Sequence, residues 1–162
     1  MESLNQDIFR LLFSLANQNP FLDTVFVFCA KYLAYLLVIG FLVFVLSRGD
    51  NRVRLFIFIE GALAVIISRS IITETIRFFY HHPRPFEALS LSPLVQASGD
   101  SFPSGHAVTF FSLAMVLYYF DKRLGSWFFL FAFINGVSRI IAGVHFPLDI
   151  IGGIVIGILS GV

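Results

Sequence analysis

The segment from Phe21 to Leu46, FLDTVFVFCAKYLAYLLVIGFLVFVL, is apolar along almost its whole length. A helix that crosses a bilayer needs about 20 such residues, so this segment predicts a membrane span. Four further apolar segments follow it, at 54–79, 105–120, 126–142 and 147–162. The sequence therefore predicts an all-α integral membrane bundle of about five transmembrane helices.

The composition is that of one membrane-embedded domain covering residues 1–162. Hydrophobic residues make up 57% of the chain, with 21 Phe, and charged residues only 13%. No separate soluble domain is left once the apolar segments are assigned. The net charge of +1, without a block of Lys and Arg, argues against nucleic-acid binding. Cys29 is the only cysteine, which excludes an intramolecular disulfide and a multi-cysteine metal site.

The residues before the first span have the pattern of a short amphipathic helix. Within residues 4–15, five apolar side chains share one face: Leu4, Ile8, Leu11, Leu12 and Leu15. Two interpretations fit this pattern, a helix lying at the membrane interface and a helix packed against the bundle.

The turns between the predicted spans indicate their orientation. Arg and Lys occur in the breaks at 47–52 and 121–125, which five spans place on the same side. Positive charge is typical of the cytoplasmic side of a membrane. The longer 80–104 segment and the 143–146 turn are then expected at the outer face of the plasma (inner) membrane.

Three polar clusters interrupt the apolar pattern, although ionisable groups near a bilayer are costly unless they are paired or functional. The clusters are Arg77 with Arg84-Pro85, then Pro103-Ser104-Gly105-His106, then Ser138-Arg139 with His145 and Asp149. Arginine suits bidentate contact with phosphate. A Pro-Ser-Gly segment that begins a helix presents free N–H groups to an anion. A carboxylate that holds one ring nitrogen of a histidine leaves the other free to attack.

Together the clusters resemble the signature of the type 2 phosphatidic acid phosphatase superfamily: Lys-x6-Arg-Pro, Pro-Ser-Gly-His and Ser-Arg-x5-His-x3-Asp. The single departure is Arg77, where the family usually has Lys. The resemblance implies that His145 is a nucleophile forming a phosphohistidine, that Asp149 orients it and that His106 protonates the leaving group. It implies that five residues hold the phosphate: Arg77, Arg84, Ser104, Gly105 and Arg139.

The same resemblance implies catalysis without a metal or another cofactor, because arginines and backbone N–H groups take the place of the cation. The neighbouring His81 and His82 suggest a metal site, but no third ligand lies near them in the sequence. Carboxylates clustered as Mg²⁺ prefers are not seen in the sequence either.

The residues around the motifs, including Pro83-Arg84-Pro85-Phe86 and Gly99-Asp100-Ser101-Phe102, are similar to bacterial undecaprenyl-diphosphate phosphatases of this superfamily. This implies a phosphorylated lipid substrate in contact with membrane lipids, hydrolysed to undecaprenyl phosphate and phosphate. Phosphatases of the superfamily that act on phosphatidylglycerophosphate, phosphatidate or lipid A share the clusters and remain alternatives. So do a membrane protein that binds phospholipid without hydrolysis and a vanadium haloperoxidase, whose relatives are typically soluble.

Small residues recur in the last span, where Gly153, Gly157 and Gly161 are spaced by four. This spacing allows another helix to approach closely. The partner is expected to be a helix of the same chain, with a homo-oligomer through this face as the alternative.

The second span carries charges that need partners. Glu60 and Arg69 lie deep in it, whereas Glu74 and Arg77 lie one turn apart near its outer end. Glu74 is expected either to orient Arg77 or to neutralise it.

Overall fold

The computed structural model describes residues 2–162, with side chains from residue 3 onward. Counting helices that continue through a π turn as one, it has α1 (Glu2–Phe13), α2 (Pro20–Leu46), α3 (Asn51–Phe79), α4 (Pro85–Ala88), α5 (Gly105–Phe120), α6 (Lys122–Ile141) and α7 (Pro147–Ser160). No strand occurs among these described residues. The predicted all-α class is confirmed.

The five predicted apolar segments are all helical. Helices α2, α3 and α6 are long and apolar enough to cross a membrane, whereas α5 and α7 are apolar but shorter, with 16 and 14 residues. The largest difference in bounds is at α6, which begins at Lys122 rather than at 126. The reason is an N-terminal cap, in which Asp121 Oδ1 accepts a hydrogen bond from the Leu124 N–H at 3.0 Å.

Helix α5 is the centre of the bundle and packs against α3, α6 and α7. The glycine face of α7 lies directly on it. A Cβ added at Gly153 would lie 2.7 Å from Ala107 Cβ, and one at Gly157 would lie 2.6 Å from the Val108 carbonyl oxygen. The face therefore serves packing within the chain, as the expected first alternative has it.

Helix α1 both packs against the bundle and keeps an exposed leucine face, so both interpretations of its sequence apply in part. It packs against α6 and α7 through Phe9, which is fully buried with its ring centroid 5.2 Å from that of Phe146. Asn5 Oδ1 accepts a hydrogen bond from the Leu148 N–H at 3.0 Å. Leu4 and Leu11 remain exposed on the leucine face, as a helix at the membrane interface requires.

Two helices contain a wide π turn that the sequence did not predict: Phe28–Tyr32 in α2 and Ile66–Ile72 in α3. Such turns disturb the regular hydrogen-bond ladder and often occur at functional sites. In α2 the turn offers the Cys29 and Ala30 carbonyls to Asn135 Nδ2, at 2.7 and 3.3 Å. Arg139 Nη1 also donates to the Ala30 carbonyl at 3.3 Å, so the turn fixes α6 beside α2.

Candidate active site

The three polar clusters meet at one end of the bundle, around a cavity of about 710 Å³. The 80–104 segment closes over this end, where the Leu94 N–H donates to the Ala142 carbonyl at 3.0 Å and the Ser101 N–H donates to the His82 carbonyl at 2.8 Å. Six predicted site residues line the cavity: Arg77, Arg84, Gly105, His106, Arg139 and His145. The other two, Ser104 and Asp149, are buried behind its wall.

His145 lies in the turn between α6 and α7 and is only 1% exposed. Its Nδ1 is 3.4 Å from Asp149 Oδ2, one helical turn further on. The same carboxylate oxygen accepts hydrogen bonds from the Phe146 N–H at 2.7 Å and from the Ser101 hydroxyl. The Asp149 side chain is therefore fixed from several directions and can in turn fix the imidazole.

The contacts of His145 also select its tautomer. Arg84 Nη1 lies 3.4 Å from His145 Nε2, and a guanidinium can only donate. Nε2 must then present its lone pair, while Nδ1 carries the proton and faces Asp149. This tautomer leaves Nε2 as the nucleophilic atom on the cavity side, which a histidine–aspartate pair needs.

Arg84 is buried in the lining of the cavity and is also a candidate phosphate ligand. Its Nε donates to the Gly99 carbonyl at 2.8 Å, its Nη1 to Val144 at 2.9 Å and its Nη2 to Ser98 at 3.0 Å. Burial and the nearby Arg77 lower the pKa of Arg84 below its ordinary value. The guanidinium is thus preorganised beside His145 and needs little rearrangement to meet an anion.

His106 also lines the cavity, where it is paired with Arg139. Arg139 Nη1 lies 3.3 Å from His106 Nε2, so this nitrogen is an acceptor and Nδ1 is left to carry a proton. Arg77 approaches from the end of α3, where its Nη2 donates to the Pro103 carbonyl at 3.0 Å. Its Nη1 is 3.6 Å from Glu74 Oε1, so Glu74 pairs with Arg77, although the same oxygen lies closer to Arg69 Nη1.

Three buried polar atoms around the cavity have no hydrogen-bond partner within the described part of the chain: Ser104 Oγ, Arg77 Nε and Arg139 Nε. Buried donors without partners are rare in folded proteins and call for an explanation. All three belong to residues predicted to hold phosphate, whose oxygens are acceptors. The unsatisfied donors therefore fit a site built for an oxyanion.

The residues that sequence reasoning missed are Ser101, Lys31 and Arg69. Ser101 is fully buried, and its hydroxyl lies 3.4 Å from His145 Nδ1 while donating to Asp149. Lys31 and Arg69 line the cavity from the two π turns. The polar character of Arg69 inside a span was the one available signal, and nothing in the sequence related Ser101 to a carboxylate so far along the chain.

Replacing Ser101 by Ala is expected to lower kcat by about tenfold, because a hydrogen bond to a charged group is typically worth 1.5 kcal/mol or more. Ser112→Ala is the matched control, since that hydroxyl is also buried but donates only to the Thr109 carbonyl of its own helix. Steady-state phosphate release from both variants measures the effect. Equal kcat values for the two variants would show that the Ser101 hydroxyl does not help to position Asp149 and His145.

Burial lowers the pKa of His145 to about 4, although its hydrogen bond to Asp149 acts in the opposite direction. An unfolded chain has the ordinary value of about 6.5 and binds more protons between these two limits. Folding stability is therefore lost as the pH falls from about 6.5 toward 4. At neutral pH the imidazole is therefore unprotonated, the form in which a histidine has a free lone pair.

We expect the wild-type protein to lose about 2 kcal/mol of stability between pH 7 and pH 5 from His145 alone. A His145→Gln variant lacks this titration and should lose correspondingly less over the same interval. Thermal unfolding in detergent at the two pH values gives the comparison. Identical decreases in Tm for both proteins would contradict the buried, neutral imidazole.

A helical membrane protein in which a buried histidine–aspartate pair faces a cavity of arginines has the parts of a phosphate-transferring hydrolase. Comparison with known families agrees. The sequence model described as the PAP2 superfamily matches residues 59–162, and the chain belongs to that superfamily. Its members include phosphoric ester hydrolases, and this chain is one of them.

Individual relatives extend the similarity to nearly the whole chain. The bacitracin transport permease protein BcrC of Bacillus licheniformis is 34% identical over 97% of this chain and 77% of its own length. The undecaprenyl-diphosphatase BcrC of Bacillus subtilis is 29% identical over 98% of this chain and 81% of its own. The crystal structure of Aquifex aeolicus LpxE superposes with a TM-score of 0.75 at 32% identity, covering 98% of this chain and 92% of that one.

Proposed function

We propose that this protein removes the terminal phosphate of undecaprenyl diphosphate, releasing undecaprenyl phosphate and inorganic phosphate at the outer face of the plasma membrane. The observation that carries the reaction is the placement of His145, whose Nε2 faces Arg84 while Nδ1 faces Asp149. The similarity to a relative named undecaprenyl-diphosphatase supports this substrate.

In the first step, His145 Nε2 attacks the terminal phosphorus and forms a P–N bond. The P–O bond to the bridging oxygen breaks, and the electron pair leaves with the lipid phosphate. His106 enters the step as an imidazolium, donates a proton to that oxygen and is left as the neutral ring, while Arg77, Arg84 and Arg139 stabilise the charge on the equatorial oxygens. The imidazolium formed at His145 keeps its Nδ1 proton against Asp149.

In the second step, water attacks the phosphorus of the phosphohistidine and His106 accepts its proton. The P–N bond breaks, its electron pair returns to Nε2, and phosphate leaves. The enzyme is restored in the tautomer that the resting contacts of His145 favour. Each proton and electron pair is then accounted for by residues of this chain, and we expect no metal requirement.

The site supports hydrolysis better than binding or transport alone. An anion-binding protein needs the arginines, but it has no use for a nucleophile held by a carboxylate or for a second histidine that lines the cavity. Access from the membrane also supports a lipid substrate, because the head group can reach the cavity while its tail stays in hydrocarbon. The alternatives within the superfamily are phosphatidylglycerophosphate, phosphatidate and lipid A.

The test is phosphate release by the purified protein in detergent with a chelator present. Undecaprenyl diphosphate, phosphatidylglycerophosphate and phosphatidate are compared at equal mole fraction in the micelle. We expect the highest kcat/KM on undecaprenyl diphosphate. A clear preference for phosphatidylglycerophosphate would instead assign the enzyme a role in phospholipid synthesis. If no phosphate is released from any of these substrates, the non-catalytic alternative is favoured.

A further inference from the structure

Arg69 is a cation at the site that the proposed mechanism does not use. It lies in the π turn of α3, and its guanidinium contacts the first residue of α5. A Cβ added at Gly105 would lie 2.7 Å from Arg69 Nε. Arg69 Nη1 forms an ion pair with Glu74, which leaves its remaining N–H groups available to a ligand.

The charge lining the cavity exceeds what one phosphate needs. Five cationic side chains line it, Lys31, Arg69, Arg77, Arg84 and Arg139, and no carboxylate is found among the described lining residues. A phosphate group on an ester carries at most about two negative charges. The three arginines of the sequence clusters already exceed that charge, so Lys31 and the N–H groups of Arg69 that do not pair with Glu74 are available for further negative charge on the same substrate.

Lys31 and Arg69 line the more exposed part of the cavity. Arg84 and Arg139 are only 5% and 7% exposed, whereas the side chain of Arg69 is 36% exposed. Tyr35, which also lines the cavity, is 60% exposed. Helices α2 and α3 pack together over 33–46 and 51–65. The cavity is lined by residues of both helices at and near their π turns, among them Lys31 and Tyr35 of α2 and Arg69 of α3, so it extends from buried His145 to α2 and α3.

We propose that Arg69, assisted by Lys31, binds the phosphate that stays on the lipid, so that the cavity has a second phosphate subsite selective for lipid diphosphates. This inference rests on the proposed function. The terminal phosphate lies between Arg84 and Arg139, the second phosphate contacts Arg69 beside Gly105, and the tail leaves past Tyr35 between α2 and α3. Arg69 also stabilises the charge that the leaving lipid phosphate acquires as the P–O bond breaks.

The test compares farnesyl diphosphate with farnesyl monophosphate, which share a tail and differ by one phosphate. We expect Arg69→Gln to lower kcat/KM on the diphosphate by about 10- to 100-fold, the usual worth of a charge-assisted contact, and on the monophosphate by less than about threefold. Lys31→Gln should show the same selectivity with a smaller loss. Arg52→Gln, an exposed charge at the far end of α3, is the matched control.

The outcomes separate the inference from the function on which it rests. Equal losses on both substrates for Arg69→Gln would overturn the second subsite and place Arg69 at the transferred phosphate. If the wild type hydrolyses the diphosphate and neither variant lowers that rate, the second subsite is overturned and the proposed function stands. Wild-type turnover of the monophosphate alone would overturn both. If Arg69→Gln fails to fold, the selectivity of Lys31→Gln at its exposed position decides.

Discussion

Replacing His145 by Gln is expected to lower kcat by at least about 10⁴-fold, the largest loss that any single change in this site should cause. Removing the nucleophile from a comparable hydrolase triad costs this much or more. Glutamine preserves volume and polarity but offers no nitrogen lone pair for attack. The remaining rate would come from the arginines alone, which orient the substrate for direct attack by water.

The covalent intermediate gives this prediction a second readout. Wild-type protein mixed with substrate labelled at the terminal phosphate, then quenched in alkali, should carry a label that acid removes, because a phosphohistidine is stable only to base. His145→Gln should carry none. His81→Gln is the control, since this histidine is exposed and its Nδ1 contacts Asp100 at 3.2 Å, away from the cavity. A label that survives in His145→Gln would assign the nucleophile to another residue.

The second large effect is expected at His106, and it should depend on the leaving group. A general acid contributes about 10²- to 10⁴-fold, and most where the departing oxygen is strongly basic. A lipid alkoxide is such a group, whereas a lipid phosphate ionises near pH 6 and leaves without much help. We therefore expect His106→Gln to lower kcat by about 10³-fold on farnesyl monophosphate and by about tenfold on farnesyl diphosphate.

The comparison measures single-turnover release of the leaving group, which is farnesol from the monophosphate and farnesyl phosphate from the diphosphate. This release precedes hydrolysis of the phosphohistidine, so it reports protonation of the leaving group alone. Thr109→Val is a suitable control, because Thr109 lines the cavity one turn along α5 but carries no group that can serve as an acid. Equal losses on the two substrates would show that His106 acts by holding phosphate or by activating water rather than by protonating the leaving oxygen.

Apolar pattern and short motifs predicted the helices and most of the site. Five hydrophobic segments separated by charged turns are enough to place helices, and a histidine four residues before an aspartate is enough to predict contact at a helix start. The π turns were out of reach, because Phe28–Tyr32 and Ile66–Ile72 do not interrupt the apolar pattern. The carbonyls of the first turn bind Asn135 of α6, which lies more than 100 residues further along the chain.

Ser101 shows a different limit of sequence reasoning. Its partner Asp149 lies 48 residues further along the chain, and the contact depends on how the 80–104 segment folds back over the bundle. A serine in a loop has many uses, so its type alone carried no prediction. Arg69 was noticed as a charge deep in a predicted span, but only the fold placed it in the cavity lining beside Gly105.

The contact between α5 and α7 has a mechanical consequence. Without side chains at Gly153 and Gly157, the backbones of the two helices touch, and the Ser104 N–H donates to the Asp149 carbonyl at 3.0 Å where both helices begin. His106 and His145 are thereby held at the start of one rigid pair of helices, whose internal spacing depends on main-chain geometry and not on the surrounding lipid. Thinner or thicker bilayers should tilt this unit as a whole, so that chain length of the host lipid changes substrate access while the chemical step keeps its rate.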